Sequence, residues 1–252
     1  MKIVKSALAC FSTYSRIPMP HVTLNSDDMK YALAFFSLIG AVIGALEYGL
    51  FLLCKYCNMP SFVFACLGAC IPVIITGGIH VDGYMDTMDA LNSYGDREKK
   101  LAIMKDPHTG AFAVIWLAVY GLIYIAFLYM INTNGILLFS LSFVISRACS
   151  GFSVCTINSA KNEGMLHDVK ANSSNVLIAV VNALTAIACI GIVLIFDWIC
   201  GLAALAVLII VYCMYRYKCR KEFGGITGDT SGFYLCAVEL MLVIVAALEG
   251  IL

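Results

Sequence analysis

Long apolar runs separated by short polar stretches make up almost the whole chain. Runs of the length that a bilayer of about 30 Å demands, about 20 residues each, fall near 31–53, 61–76, 111–131, 136–157, 176–196, 198–215 and 232–251. The second is short, carries Pro72 and leads into a long polar island. None shows the period-two alternation of a barrel strand. Segments in lipid must satisfy their own backbone hydrogen bonds, so the pattern predicts an all-α, polytopic transmembrane helical bundle of about seven spans. We read residues 1–252 as a single integral membrane domain with polar loops at 77–110, 158–175 and 216–231. No internal repeat or low-complexity segment interrupts it.

Composition excludes a soluble globular chain: 62% of residues are hydrophobic, 13% are charged and the mean hydropathy is +0.92. The charges give an orientation. With the N-terminus in the cytoplasm, the inner segments collect fourteen of the sixteen lysines and arginines, leaving Lys55 outside and Arg147 within a span. This predicts the bacterial cytoplasmic membrane, with the polar loops facing the cytoplasm. Residues 3–11 are too short a run for a signal peptide, and Arg16, Pro18 and Pro20 follow without a small-residue cleavage site, so an interfacial helix is expected instead. Net charge is zero and the basic residues are spread over several loops, which leaves no nucleic-acid footprint. Apolar helix faces are compatible with lipid or with a further copy of the chain. The twelve cysteines lie mostly in apolar runs. Cys54 and Cys57 form a lone C-x-x-C, where a disulfide stays open.

The polar island, residues 76–113, holds six of the sixteen acids. Asp82, Asp86 and Asp89 are spaced i, i+4, i+7, within an arc of roughly 60° on a helix. Like charges so placed repel one another, so a cation is expected against them. Carboxylate oxygens are hard ligands, and the hard cation that shares itself with phosphate is Mg²⁺. A merely solvated acidic face would not account for the flanking Gly77, Gly78, Gly83, Gly95 and Gly110. Residues 96–105 then predict a short amphipathic helix, with Leu101, Ile103 and Met104 apolar and Arg97, Lys99 and Lys100 solvated, ended by Pro107. Lys105 and Asp106, beside Gly110, could grip a diphosphate and complete a metal shell; Lys105 also fits as ordinary positive-inside charge.

The remaining polar positions leave alternatives open. Arg16 suits lipid phosphate or a phosphorylated substrate. Glu47 is expected near the outer end of the first span. Arg147, next to Ser146, needs an anionic partner: substrate phosphate, a motif aspartate, or a structural ion pair. Glu239 is a second buried acid. The loop at 158–175 holds Lys161, Glu163, His167 and Asp168. The sequence GGITGDTSG before the last span offers backbone N–H groups at a helix N-terminus, an anion seat at Thr227 and Gly228, with Asp229 either the helix cap or a metal or nucleotide contact.

Together, FSTYSRIPMP near the start, GGIHVDGYMDTMDAL and IMKDPHTGAFAV in the middle, the Ser146–Arg147 pair and GGITGDTSG near the end resemble the cobalamin synthase family over nearly the whole chain. Departures are Ala90 and Ala113, where the family often has glycine, and AKNEGML, where Lys161 replaces an arginine and loses its bidentate fork. The resemblance implies attack of an α-ribazole hydroxyl on the cobinamide-side phosphorus of adenosylcobinamide-GDP, with loss of GMP and Mg²⁺ as cofactor. On the residues' own chemistry, metal ligands are expected at Asp82, Asp86, Asp89 and Asp106, and catalytic work by the first three, with Asp89, an aspartate not fully used by metal, as the proton acceptor. Substrate contacts are implied at Arg16, His80, Lys105, Arg147, Lys161, Thr227, Gly228 and Asp229. CDP-alcohol phosphotransferases space their aspartates similarly, but their alanine-arginine pair and further D-x-x-x-D are missing here. A transporter would place its ionisable groups on broken helices in two related halves, which do not appear.

Overall fold

The structure, a computed structural model, describes residues 2–20, 23, 25–160 and 174–249. The described residues are helical throughout, apart from turns and one isolated bridge between Ser159 and Ile226. In chain order the helices are α1 (Lys2–Tyr14), a 3₁₀ segment (Ser26–Phe35), α2 (Phe36–Tyr56), α3 (Ser61–Thr76), α4 (Ile79–Asn92), α5 (Arg97–Ile103), α6 (Ala111–Met130), α7 (Ile136–Thr156), α8 (Asn175–Phe196), α9 (Trp198–Lys218), a π-turn (Cys219–Phe223) and α10 (Gly228–Ala247). Six helical stretches are long and apolar enough to cross a membrane: α2 with its 3₁₀ lead-in, α6, α7, α8, α9 with its π-turn, and α10. The expected seventh, 61–76, is α3, which meets that test only when taken together with α4, to which it is bent by 96°. The protein is a multi-pass membrane protein.

The bend is written in local chemistry. Pro72 cannot donate within α3, and Thr76 Oγ1 donates to the Pro72 carbonyl at 2.7 Å. Gly77 (φ 67°) and Gly78 (φ 82°) then take left-handed conformations that end α3 and turn the chain into α4. The polar island therefore leaves the line of the span that leads into it.

At the centre, α7 packs against α2, α8 and α10. The contact with α2 uses Gly40 and Gly44, a small-xxx-small pair: a Cβ at either would run into the α7 backbone at Phe143 or Ser140. The contact with α10 is electrostatic. Arg147 is fully buried, and its Nη1 donates to Glu239 Oε1 at 2.6 Å and to the Phe143 carbonyl at 3.0 Å, while Ser146 Oγ donates to the same Glu239 oxygen at 3.0 Å. Of the alternatives for Arg147, the structure shows the ion pair, and Glu239 is the acid that answers it.

Glu47 lies in α2, fully buried, with its carboxyl against Gly68 of α3. Packing against α3, which the apolar pattern does not encode, is what covers it. Cys54 and Cys57 are both free thiols.

Removing one partner of a desolvated pair leaves an uncompensated charge, at a cost of about 3–5 kcal/mol. Arg147→Ala and Glu239→Ala are each expected to lower the thermal midpoint in detergent sharply, and the apolar pair Arg147→Met with Glu239→Leu to recover most of the loss. Single variants as stable as the wild type would show that the pair does not hold α7 to α10.

Candidate active site

The two faces of α4 divide the work. His80, Gly83, Tyr84, Thr87 and Ala90 are buried against the bundle, whereas Asp82 is exposed and Asp86 and Asp89 are half-buried. Tyr84 stacks on Phe233 of α10 with ring centroids 5.7 Å apart. Contact between α4 and α10 is closest at Gly83, where a Cβ would sit 2.8 Å from the Asp229 carbonyl oxygen. Asp229 is the second residue of α10. The helix is capped by Thr227, whose Oγ1 accepts from the Thr230 amide at 3.1 Å while Thr230 Oγ1 accepts from the Thr227 amide at 2.8 Å. The sequence left Asp229 as cap or contact; the cap is Thr227, whose Oγ1 also donates to Asp229 Oδ2 at 3.5 Å, and Asp229 stands in the first turn of α10 beside the stripe.

Electrostatics show the convergence. The Asp86 carboxyl is raised to about 6, first by partial burial and then by the negative charges of Asp82, Asp229 and Asp89. Asp89 lies over Gly110, the N-cap of α6: a Cβ there would overlap its carboxylate. Two helix N-termini, of α6 and α10, thus stand beside four carboxylates. Positive helix ends stabilise those charges and offer N–H groups to an anion.

Whether this set suits Mg²⁺ is a question of donors and compensation. The donors are carboxylate oxygens from two helices, the hard-ligand chemistry that Mg²⁺ selects. Among the described residues no lysine or arginine is ion-paired with Asp82, Asp86 or Asp89. Equally, no three histidine, cysteine or acidic side chains among them already stand close enough to clasp an ion, as expected of mutually repelling groups. The residues fit a cation that draws them together.

The other predicted site residues are spread more widely. Arg16 lies on the α3–α4 turn: its amide donates to the Ile75 carbonyl at 2.7 Å and its side chain rests on Gly77. Thr227 and Gly228 open α10 beside Asp229. Lys105 and Asp106 are exposed, and Asp106 Oδ1 is taken by His108, accepting from its amide at 2.9 Å and meeting its ring nitrogen at 2.7 Å, which holds the Asp106 carboxyl below its usual range. Asp106 is absent from the charges acting on Asp86. His80 and Arg147 lie in the interior, on the side of α4 away from the stripe, where with Tyr120, Tyr124, Cys236 and Glu239 they line a cavity of about 140 Å³. Lys161 and His167 fall outside the described residues.

Sequence reasoning missed how α5 is anchored. Asp96 caps it, accepting from the Lys99 amide at 3.0 Å. Arg97, exposed as expected, also donates to the Ala160 carbonyl, while Lys100, read as solvated, is half-buried and donates to Glu222 of the π-turn. Met104 and Ala90 close a small second core with Phe223. The pairing of distant loops has no local signal, although the expected apolar face of α5 does what its pattern indicates.

Cation ligation needs deprotonated carboxylates. Mn²⁺ affinity, read by electron paramagnetic resonance on protein in detergent, is expected to fall as pH drops through about 6, where Asp86 takes its proton, and Asp86→Asn to flatten that dependence. An affinity equal in wild type at neutral pH and at about pH 5 would place the ion away from Asp86.

Comparison with known proteins supplies a family. The cobalamin-5-phosphate synthase family matches residues 6–247. The chain is 38% identical to the adenosylcobinamide-GDP ribazoletransferase of Lachnoclostridium phytofermentans, covering 100% of this chain and 97% of that one. The proteins of that name from Clostridium botulinum strain Alaska E43 and Pseudomonas syringae pv. syringae are 34% and 33% identical, covering 95% and 88% of this chain and 95% and 90% of theirs. No solved structure matches. Full-length similarity to enzymes of one name, on a helical bundle carrying the motif carboxylates together, has one conclusion: the chain belongs to the cobalamin-5-phosphate synthase family.

Proposed function

We propose that the protein is an Mg²⁺-dependent adenosylcobinamide-GDP ribazoletransferase of the bacterial cytoplasmic membrane, with its N-terminus and its carboxylate site facing the cytoplasm. The orientation rests on the distribution of lysine and arginine. The observation that carries the chemistry is the convergence of Asp82, Asp86, Asp89 and Asp229 beside two helix N-termini.

In the reaction, a ribose hydroxyl of α-ribazole, or of its 5′-phosphate, attacks the cobinamide-side phosphorus of adenosylcobinamide-GDP. The bond from that phosphorus to the bridging oxygen breaks and GMP leaves with the electron pair. The hydroxyl proton passes to a base, and the product is adenosylcobalamin or its 5′-phosphate. Such a reaction asks the protein for positioning and for cancelling negative charge. Bound Mg²⁺, held by Asp82, Asp86, Asp89 and Asp229, would supply that charge cancellation on the diphosphate. The N–H groups opening α10 at Gly228 and α6 at Ala111 can receive phosphate oxygens. Arg16, exposed on the turn that leads into α4, can reach a phosphate from the other side. For the proton, Asp86 is the candidate base: partial burial, and then the negative charges of Asp82, Asp229 and Asp89, raise its proton affinity.

The direct test is GMP release from adenosylcobinamide-GDP and α-ribazole by purified protein in detergent, with and without Mg²⁺. We expect metal-dependent release that falls by about 10²-fold or more in Asp82→Asn. Release indifferent to metal and to that substitution, or turnover of a CDP-alcohol with a lipid acceptor instead, would overturn the proposal.

A further inference from the structure

The helix that carries the stripe and the helix that carries Asp229 meet backbone to backbone, through a glycine on each. On α4, a Cβ at Gly83 would lie 2.8 Å from the Asp229 carbonyl oxygen and 2.9 Å from its Cα. On α10, a Cβ at Gly232 would lie 3.0 Å from the His80 carbonyl oxygen and 3.3 Å from its Cα. Neither obstacle is a flexible side chain, so any larger residue must move a helix. Below the crossing, Arg147 and Glu239 fix α10 in depth, and the Thr227 box fixes where it begins. Asp229 sits between these constraints, at the glycine contact itself.

We propose that Gly83 and Gly232 are positioning residues for the cation: their contact sets the α4–α10 separation at which Asp229 completes the donor set of Asp82, Asp86 and Asp89. This rests on the reading of the stripe as a cation site. Packing alone would be served by many interdigitating side chains at a helix crossing. What glycine adds here is backbone contact, within one turn of the carboxylate that α10 contributes. A displacement of a few tenths of an ångström at the crossing moves Asp229 away from its partners and leaves the bundle core, built on α7, in place.

The test is a double-mutant cycle on Mn²⁺ affinity, measured by electron paramagnetic resonance with the full-length protein in detergent, for Gly83→Ala, Asp229→Asn and the two together. Asp229→Asn keeps the shape of the side chain and removes the ligand charge. Gly83→Ala alone is expected to weaken Mn²⁺ by about 10- to 100-fold, and to weaken it no further when Asp229 is already asparagine, because Gly83 acts through Asp229. A purely structural role would give the same loss in both backgrounds and overturn the proposal. Gly232→Ala, whose Cβ meets milder crowding, is expected to give a smaller loss of the same kind, and it carries the cycle should Gly83→Ala fail to fold. Gly49→Ala, with open space around its Cβ, is expected to match wild type. Binding abolished by Asp82→Asn but untouched by Asp229→Asn would defeat this inference and spare the stripe. Binding untouched by either would defeat the cation site as a whole.

Discussion

Acidic side chains that α4 and the start of α10 bring to the same end of the bundle repel one another, and a membrane protein that places them there must hold them against that repulsion. Much of the structure answers this constraint. The chain breaks a span at Pro72, Gly77 and Gly78 to turn a polar helix out of line. It seats that helix on α10 through glycine, and it buries an arginine–glutamate pair to keep α10 in place. The energy that holds the acids together comes from apolar packing of α4, with Tyr84 on Phe233 and Ala90 in the small core with Met104 and Phe223. That packing works on the face of α4 opposite to the charges, so neither requirement compromises the other.

This division explains why α4 reads so distinctly in the sequence. Three aspartates within roughly 60° of arc leave the rest of the helix surface free for burial, and His80, Tyr84 and Thr87 fill it. Placing the acids on a helix rather than on a loop limits their spread, and two helix N-termini lower the cost of their charge. Under the proposed function such a site would take a cation and an anion together, as transfer at a diphosphate requires.

Much of the fold was legible because membrane helices announce themselves by length and polarity, and the end of α3 by Gly77 and Gly78. The stripe was legible from periodicity alone, and α5 from its amphipathic pattern. What the sequence could not show depends on contacts between distant segments. Arg147 and Glu239 are 92 positions apart, so an isolated arginine in a span read equally well as a phosphate ligand. Asp229 was open between capping and contact, and the hydrogen bonds that make Thr227 the cap are side-chain geometry that the sequence GGITGDTSG does not fix. Asp106 looked like part of the metal shell from its place beside Gly110, but its carboxylate is engaged by His108. The covering of Glu47 by α3 was not legible, because position along an apolar run does not reveal which face of the helix is covered.

The central claim is that Asp82, Asp86, Asp89 and Asp229 together hold the cation. Anomalous diffraction at the manganese edge, from crystals of the protein grown with Mn²⁺, locates the ion without reference to activity. The account predicts a peak among these four carboxylates, between α4 and the start of α10. A peak at Asp106 and His108, or manganese confined to the surface away from α4, would contradict it.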